Sequence, residues 1–216
     1  MNAHTPPKFG QHVGMGKSVR RKEDANFVTG TGLYTDDIKK QGMLHAYVVR
    51  SPYAHASFKI EDVSAAQDSS GVKLILTAAD ITENGPLKCQ TLLPETNGKP
   101  LVSKDTPLLC DNVVRHVGDA VAFVVADTLA HAQEAAELIE IDYDMRDAAV
   151  DTEASLQDGA PIVHEDRDTN LAFTFEMGNS DESAKVFEAA PKVSELKLIN
   201  NRVVCNYMET RACLAE

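Results

Sequence analysis

Apolar residues along this chain fall into short runs that alternate with polar, turn-rich stretches, and the runs predict more strands than helices. Met43 to Arg50 is the first strand candidate, stopped by Ser51-Pro52 because proline cannot extend a pairing ladder. Phe58, Ile60 and Val63 predict a short strand entering Ser64 to Gln67, where Ser64 would cap one helical turn. Val72 to Leu76 follows Gly71 as a compact apolar run, and Thr77 would cap a brief helix before Asp80. Asp119 to Ala126 is apolar at both parities, the pattern of a buried strand. Asp127 stands as N-cap for Thr128 to Leu138, where Leu129, Ala132, Ala136 and Ile139 recur at helical spacing. Glu140 to Asp144 alternates at period two, so this strand–helix–strand succession reads as a βαβ-like unit. Ser180 opens a helix reaching Ala189, closed by Pro191, and Lys192 to Ile199 alternates as a strand.

Between these elements the chain carries turn chemistry. Residues 1–17 form a proline- and glycine-bearing lead-in without hydrophobic period, expected to be flexible. Gly30 and Gly32 imply backbone bends rather than a helix. Thr82 to Lys104 reads as a long loop or a pair of irregular strands, with Asn84-Gly85-Pro86 as its first turn. Residues 151–167 read as a linker and Asp166 to Asn170 as a boundary, dividing residues 18–150 from 168–216. The expected class is α+β, and residues 170–216 offer one helix and two or three strands, too little to bury a core alone.

With 216 residues, 43% hydrophobic and 25% charged, the chain has material for a core. It contains no Trp and only 6% aromatics, so that core must be aliphatic. A net charge of −12 argues against a nucleic-acid scaffold, since phosphate binding needs a dense basic patch and the run Lys17 to Lys22 is too short to supply one. No apolar stretch is long enough to cross a bilayer, and Met1 to Gly10 lacks the apolar centre of a secretory signal. Cys89, Cys110, Cys205 and Cys213 form no C-x-x-C pair and read as reduced, mostly packed thiols, which fits a cytoplasmic location.

Candidate chemistry is sparse. Gly14-Met15-Gly16-Lys17-Ser18 ends like a phosphate loop, but Gln11 stands where the leading glycine belongs and no strand precedes it. His4, His12, His45, His55, His116, His131 and His164 include no H-x-x-x-H pair, and none has a cysteine at ligand spacing. They read as surface or hydrogen-bonded core histidines. Cys205 with His116 could imitate a nucleophile–base pair only if the fold brought them together. That reading would make the chain an unrelated small α+β enzyme. Glu134, Glu137, Glu140 and Asp142 read as a solvated face. The sequence therefore assigns no catalytic, cofactor-binding or metal-ligating residue.

A more specific signal lies in the order of several segments. Val19 to Asp24, Thr29 to Asp37, Val49-Arg50-Ser51-Pro52-Tyr53-Ala54-His55-Ala56 and Val114-Arg115-His116-Val117-Gly118-Asp119-Ala120-Val121-Ala122 come first. The helix Ala130 to Glu137, Ile141-Asp142-Tyr143, Asn200-Asn201-Arg202 and Met208-Glu209-Thr210-Arg211 follow. Together they resemble the opening of molybdenum hydroxylase large subunits, the family of xanthine dehydrogenase, aldehyde oxidase and the large chain of aerobic carbon monoxide dehydrogenase. Two departures, Cys205 and Thr210 where the family commonly has proline, bear on subfamily.

The resemblance implies that residues 18–150 form a mixed-sheet α/β hammerhead domain. It implies that residues 168–216 are the incomplete start of a molybdopterin-binding domain. Glu209 and Arg211 match family positions there, as an ion pair or as cofactor-domain framework. For the complete subunit it implies an oxidoreductase acting on aldehydes, N-heterocycles or carbon monoxide. Such a subunit uses molybdopterin, with [2Fe–2S] and FAD on partner subunits. In family members the glycine-rich pterin loops and the glutamate base lie further along the chain. This chain is then expected to be inactive alone, to hold no cofactor itself, and to need the remainder of the large subunit with the iron–sulfur and FAD subunits. The alternative is a stand-alone hammerhead-fold binding or assembly module, a homodimer being possible.

Overall fold

The computed structural model describes residues 20–88, 104–200, 203, 206, 207, 209 and 211–216. Its contacts divide the chain into two units, one running from Gly42 to Leu198 and one joining the residues up to Gln41 with those from Ile199 onward.

Among the described residues the larger unit holds six strands: β1 His45–Arg50, β2 Ala56–Asp62, β3 Val72–Leu76, β4 Val113–Val114, β5 Ala120–Ala126 and β6 Glu140–Met145. They make two three-stranded sheets, ordered β1-β5-β3 and β4-β2-β6. The α+β class holds, and every described pairing is antiparallel rather than mixed. The βαβ unit does not form. β5 joins β1 and β3 while β6 joins β2, so the two strands flanking the helix lie in different sheets. The sequence pattern of a strand, a helix and a strand is the same in either arrangement; only the identity of the pairing partner differs.

β5 takes the centre of its sheet because it is apolar on both faces. Val121, Ala122, Val124 and Ala126 are fully buried. On one face, Ala122, Val124 and Ala126 meet Ile75 of β3 and three residues from the helical side, Ala132, Ala135 and Ile139. Alanines on the inward side of helix α3, Leu129–Glu137, let its backbone approach the sheet closely. Ala66 of the short helix α2, Ser64–Gln67, closes the same core. A second cluster gathers Ala56, Phe58, Cys110, Val114 and Val121. Val49, Ile60 and Ile141 pack against both clusters and so join the two sheets.

Local caps differ in detail from expectation. Thr128, not Asp127, is the N-cap of α3, its hydroxyl accepting from the His131 amide at 3.1 Å. Asp127 instead accepts from the His131 ring at 2.6 Å. Ser64 opens α2 with its own amide and hydroxyl donating to Asp62 at 2.9 and 2.6 Å. Thr77 begins a 3₁₀ stretch, Ala78–Asn84, that runs through Asp80 rather than stopping before it. Of the expected Thr82–Lys104 loop, residues 89–103 lie outside the described residues. Its two described flanks are joined by an antiparallel bridge between Leu87 and Thr106.

Beyond β6, the helix α4, Ser180–Ala189, forms where expected, with Asn179 as its cap. The strand expected at Lys192 to Ile199 does not, and residues 170–200 carry no strand. A strand exists only by pairing with a neighbour, and none of the described strands pairs with these residues. Leu196, Leu198 and Ile199 consequently stand about four-fifths exposed.

In the smaller unit the helix α1, Asp24–Val28, turns at Gly30, whose φ of +75° demands glycine. The Phe27 and Tyr34 rings stack at 5.1 Å, and a Cβ on Gly32 would lie 2.1 Å from Phe27 Cδ1. Thr35 donates to Glu209 Oε1 from its amide and hydroxyl at 3.1 and 3.2 Å, and Lys40 pairs with Glu216. These contacts tie the two ends of this unit together. Glu209 thus meets Thr35, and the Glu209–Arg211 ion pair anticipated from sequence does not form among the described residues. The 1–17 lead-in and the Gly14–Ser18 motif lie outside the described residues.

Candidate functional site

Two turns of the larger unit interlock through polar side chains and main chain. The first, Ser51 to His55, follows β1, and the second, Arg115 to Asp119, links β4 to β5. Ser51 is buried at 2% exposure, and its main chain is clamped to the second turn. Its amide donates to the Asp119 carbonyl and its own carbonyl accepts from the Gly118 amide, both at 2.8 Å. Arg50 Nη1 adds a 2.8 Å bond to the Gly118 carbonyl. Gly118, at φ +96°, permits the bend.

The Asp119 carboxylate organises this second turn from within. Oδ2 accepts from the amides of Arg115 and His116 at 2.6 and 3.1 Å, and Oδ1 meets His116 Nδ1 at 2.8 Å. Beneath the clamp, the Tyr143 ring lies 4.9 Å from Tyr53 and 5.8 Å from Phe58. Burial raises the Tyr143 hydroxyl above its ordinary range, opposed by a hydrogen bond with Ser51. Cys110 sits in the same cluster, and burial first, then the Asp119 charge, push its thiol up to about 11, Arg115 opposing. At neutral pH it is a protonated thiol, a packing group rather than a nucleophile.

His55 closes the first turn against the end of β6. Its Nδ1 donates to the Asp147 carbonyl at 2.8 Å, its own carbonyl accepts from the Arg146 amide at 2.9 Å, and Nε2 is buried without a partner among the described residues. His116 is largely exposed beside Asp119, and Cys205 lies outside the described residues, so the nucleophile–base idea gains nothing from the fold. Glu134, Glu137, Glu140 and Asp142 are exposed, as a solvated face requires.

The alignment profile described as "Aldehyde oxidase and xanthine dehydrogenase, a/b hammerhead domain" matches residues 29–147, more than half of the chain. The chain belongs to that family. Both interlocked turns fall inside the matched hammerhead region. The nicotine 6-hydroxylase large subunit of Paenarthrobacter nicotinovorans is 36% identical over 204 residues, covering 94% of this chain and 24% of that protein. The carbon monoxide dehydrogenase large chain of Afipia carboxidovorans is 34% identical over 215 residues, covering 94% and 25% respectively. A crystal structure of the Cu,Mo-CO dehydrogenase superimposes with a TM-score of 0.65 at 32% identity, over 83% of this chain and 23% of that one. The chain therefore spans about a quarter of the length of these relatives.

Molybdopterin, which the family implies, does not fit the described residues of this hammerhead chain. No three His, Cys, Asp or Glu side chains converge among them as a metal site. A groove of about 470 Å³ along Phe58 to Val63 is open, and two of its charged groups are already engaged. Asp62 is taken by Ser64, and Lys59 by Glu61 at 2.6 Å. A pterin needs a concave, enclosing pocket, which this open groove does not supply. No described helix is long and apolar enough to cross a membrane.

Proposed function

We propose that this chain is the N-terminal part of the large subunit of a molybdenum-dependent hydroxylase. In this reading it supplies the hammerhead domain and the opening of the domain that holds molybdopterin. The observation that carries the reading is the likeness to large subunits along 94% of this chain within about a quarter of theirs. The physical state of residues 171–199 supports it. Leu171, Phe173 and Phe175 alternate at strand spacing, and α4 buries none of its residues. An isolated helix of ten residues is marginal in water, so this stretch needs more polypeptide against it. The remainder of the large subunit is the partner that fits, with iron–sulfur and FAD subunits receiving the electrons. The complete subunit acts on an aldehyde, an N-heterocycle or carbon monoxide, in the cytoplasm.

Elemental analysis and a turnover assay with aldehyde, purine and carbon monoxide on the purified chain test this. The expected result is neither stoichiometric molybdenum nor turnover. Molybdenum bound one to one, with any of these substrates oxidised, overturns it.

A second reading, a stand-alone binding module, draws on the larger unit's own two hydrophobic clusters. Light scattering separates them: a module gives a monomer or dimer of fixed mass, whereas a part awaiting its remainder gains mass with concentration.

A further inference from the structure

Residues 161–170, read from sequence as linker and boundary, are fastened to the hammerhead by a set of polar contacts. Lys104 pairs with Asp166 and Arg146 with Glu165. Arg115 Nε donates to the Val163 carbonyl at 3.1 Å. Asn170 ties the loop to itself, its Oδ1 accepting from the Val163 amide at 2.9 Å and its Nδ2 donating to the Ser155 and Pro161 carbonyls at 3.0 and 2.8 Å. His164 sits half-buried in the middle of this clasp.

We propose that His164 is a proton-sensitive pin: neutral, it lets the clasp close on the hammerhead, and protonated, it opens it. The charged groups acting on its ring come from three places. Arg115 belongs to the turn before β5, Lys104 to the segment before β4, and Asp166 and Arg167 to its own loop. Three are cations, and the one carboxylate, Asp166, is already paired with Lys104. Glu165 is held by Arg146. A positive ring would therefore lose water and meet net repulsion. Desolvation first, then Arg115 and Lys104, hold the ring below its ordinary value of 6.5.

The sign follows from linkage. The depressed ring stays neutral while clasped, whereas the released ring takes up a proton once the pH falls below 6.5. Above that value both forms are neutral and the clasp is at full strength. Below it, proton uptake favours release until the pH also passes the clasped value. The consequence is local. Opening frees the stretch from Ser155 to Asn170 and with it the point from which Leu171 onward leaves the hammerhead.

Amide hydrogen exchange at Val163 and Arg167, corrected for intrinsic rate, reads the opening between about pH 7.5 and about pH 5.5. The full chain should show an opening constant that rises as pH falls, by no more than about tenfold per unit for one proton. His164→Gln should flatten the rise, and His116→Gln, altering the largely exposed ring beside Asp119, should keep it. A flat profile in the unaltered chain, or a rise that survives His164→Gln, overturns the proposal. Should His164→Gln not fold, the ring's own NMR titration in the unaltered chain decides. Titration below the ordinary value supports the pin, and titration at or above it removes it.

Discussion

Gly71 shows how one side chain's absence positions others. Its φ is +78°, and a Cβ there would fall 2.2 Å from Asp127 Oδ1 and 2.3 Å from His131 Nδ1. Gly71→Ala should therefore cost about 1–3 kcal/mol, from left-handed strain plus displacement of the Asp127–His131 pair, read as a lowered melting temperature. Adding His131→Ala should return the part of the loss due to crowding by the ring and leave the parts due to φ and to Asp127. Equal losses in single and double variants would show that the ring contributes nothing. Cys110 offers a pH signature with the opposite sign to that of His164. Its folded thiol ionises near 11 against an ordinary value of 9.0, so above pH 9.0 the unfolded chain sheds a proton that the folded chain keeps. Stability should fall as pH rises through that window, and Cys110→Ala should flatten this slope in alkaline melts, though at some cost in packing at neutral pH. Neither residue stood out in the sequence, because a turn glycine and a lone cysteine look alike wherever they occur. What marked the neighbourhood was the pair of segments Arg50 to His55 and Arg115 to Asp119, whose interlock only the fold reveals.

Elements were legible to the degree that their own residues decide them. β3 has the bounds its apolar run gave, and β5 and α3 lie within a residue or two of theirs, since burial on both faces and a helical apolar stripe are local properties. The pairing of β6 with β2 was not legible, because an edge partner is chosen by the whole chain. Once the pairing is known, its logic is plain. β6 is an edge strand whose outward residues Glu140, Asp142 and Asp144 are all acidic, which discourages association with a further strand. Lys59 lies directly across from Asp142, an opposite-charge pair that favours the observed register. The contrast between a settled strand and an unsettled one can be measured. Val124→Ala, at a fully buried site in β5, should cost about 2 kcal/mol or more, whereas Leu196→Ser, at 78% exposure, should stay within about 0.5 kcal/mol. Chemical denaturation of the two variants checks this, and a large loss at Leu196 would mean that residues 192–199 pack in solution after all.

At the scale of the molecule, order and exposed apolar surface are unevenly shared along the chain. Both hydrophobic clusters draw their residues from between Val49 and Tyr143, and the clasp fastens the chain only as far as Asn170. Past that point Met177, Val186, Phe187, Leu196 and Leu198 are each more than three-fifths exposed. A surface so apolar is a cause of association in a free chain, and a protease reaches an unpacked backbone first. Limited proteolysis should thus cut between Leu171 and Ile199 and spare the strands β1 to β6 themselves and the clasp. The spared core should melt at the temperature of the uncut larger unit, since the removed stretch contributes no buried side chain. Light scattering should then show the trimmed core at constant mass over a concentration range in which the full chain grows. Protection of residues 171–199 from cleavage, or a core that melts markedly lower after trimming, would mean that this stretch is packed within the chain itself. In that event the exposed apolar residues could no longer be read as the share of a subunit that other polypeptide covers.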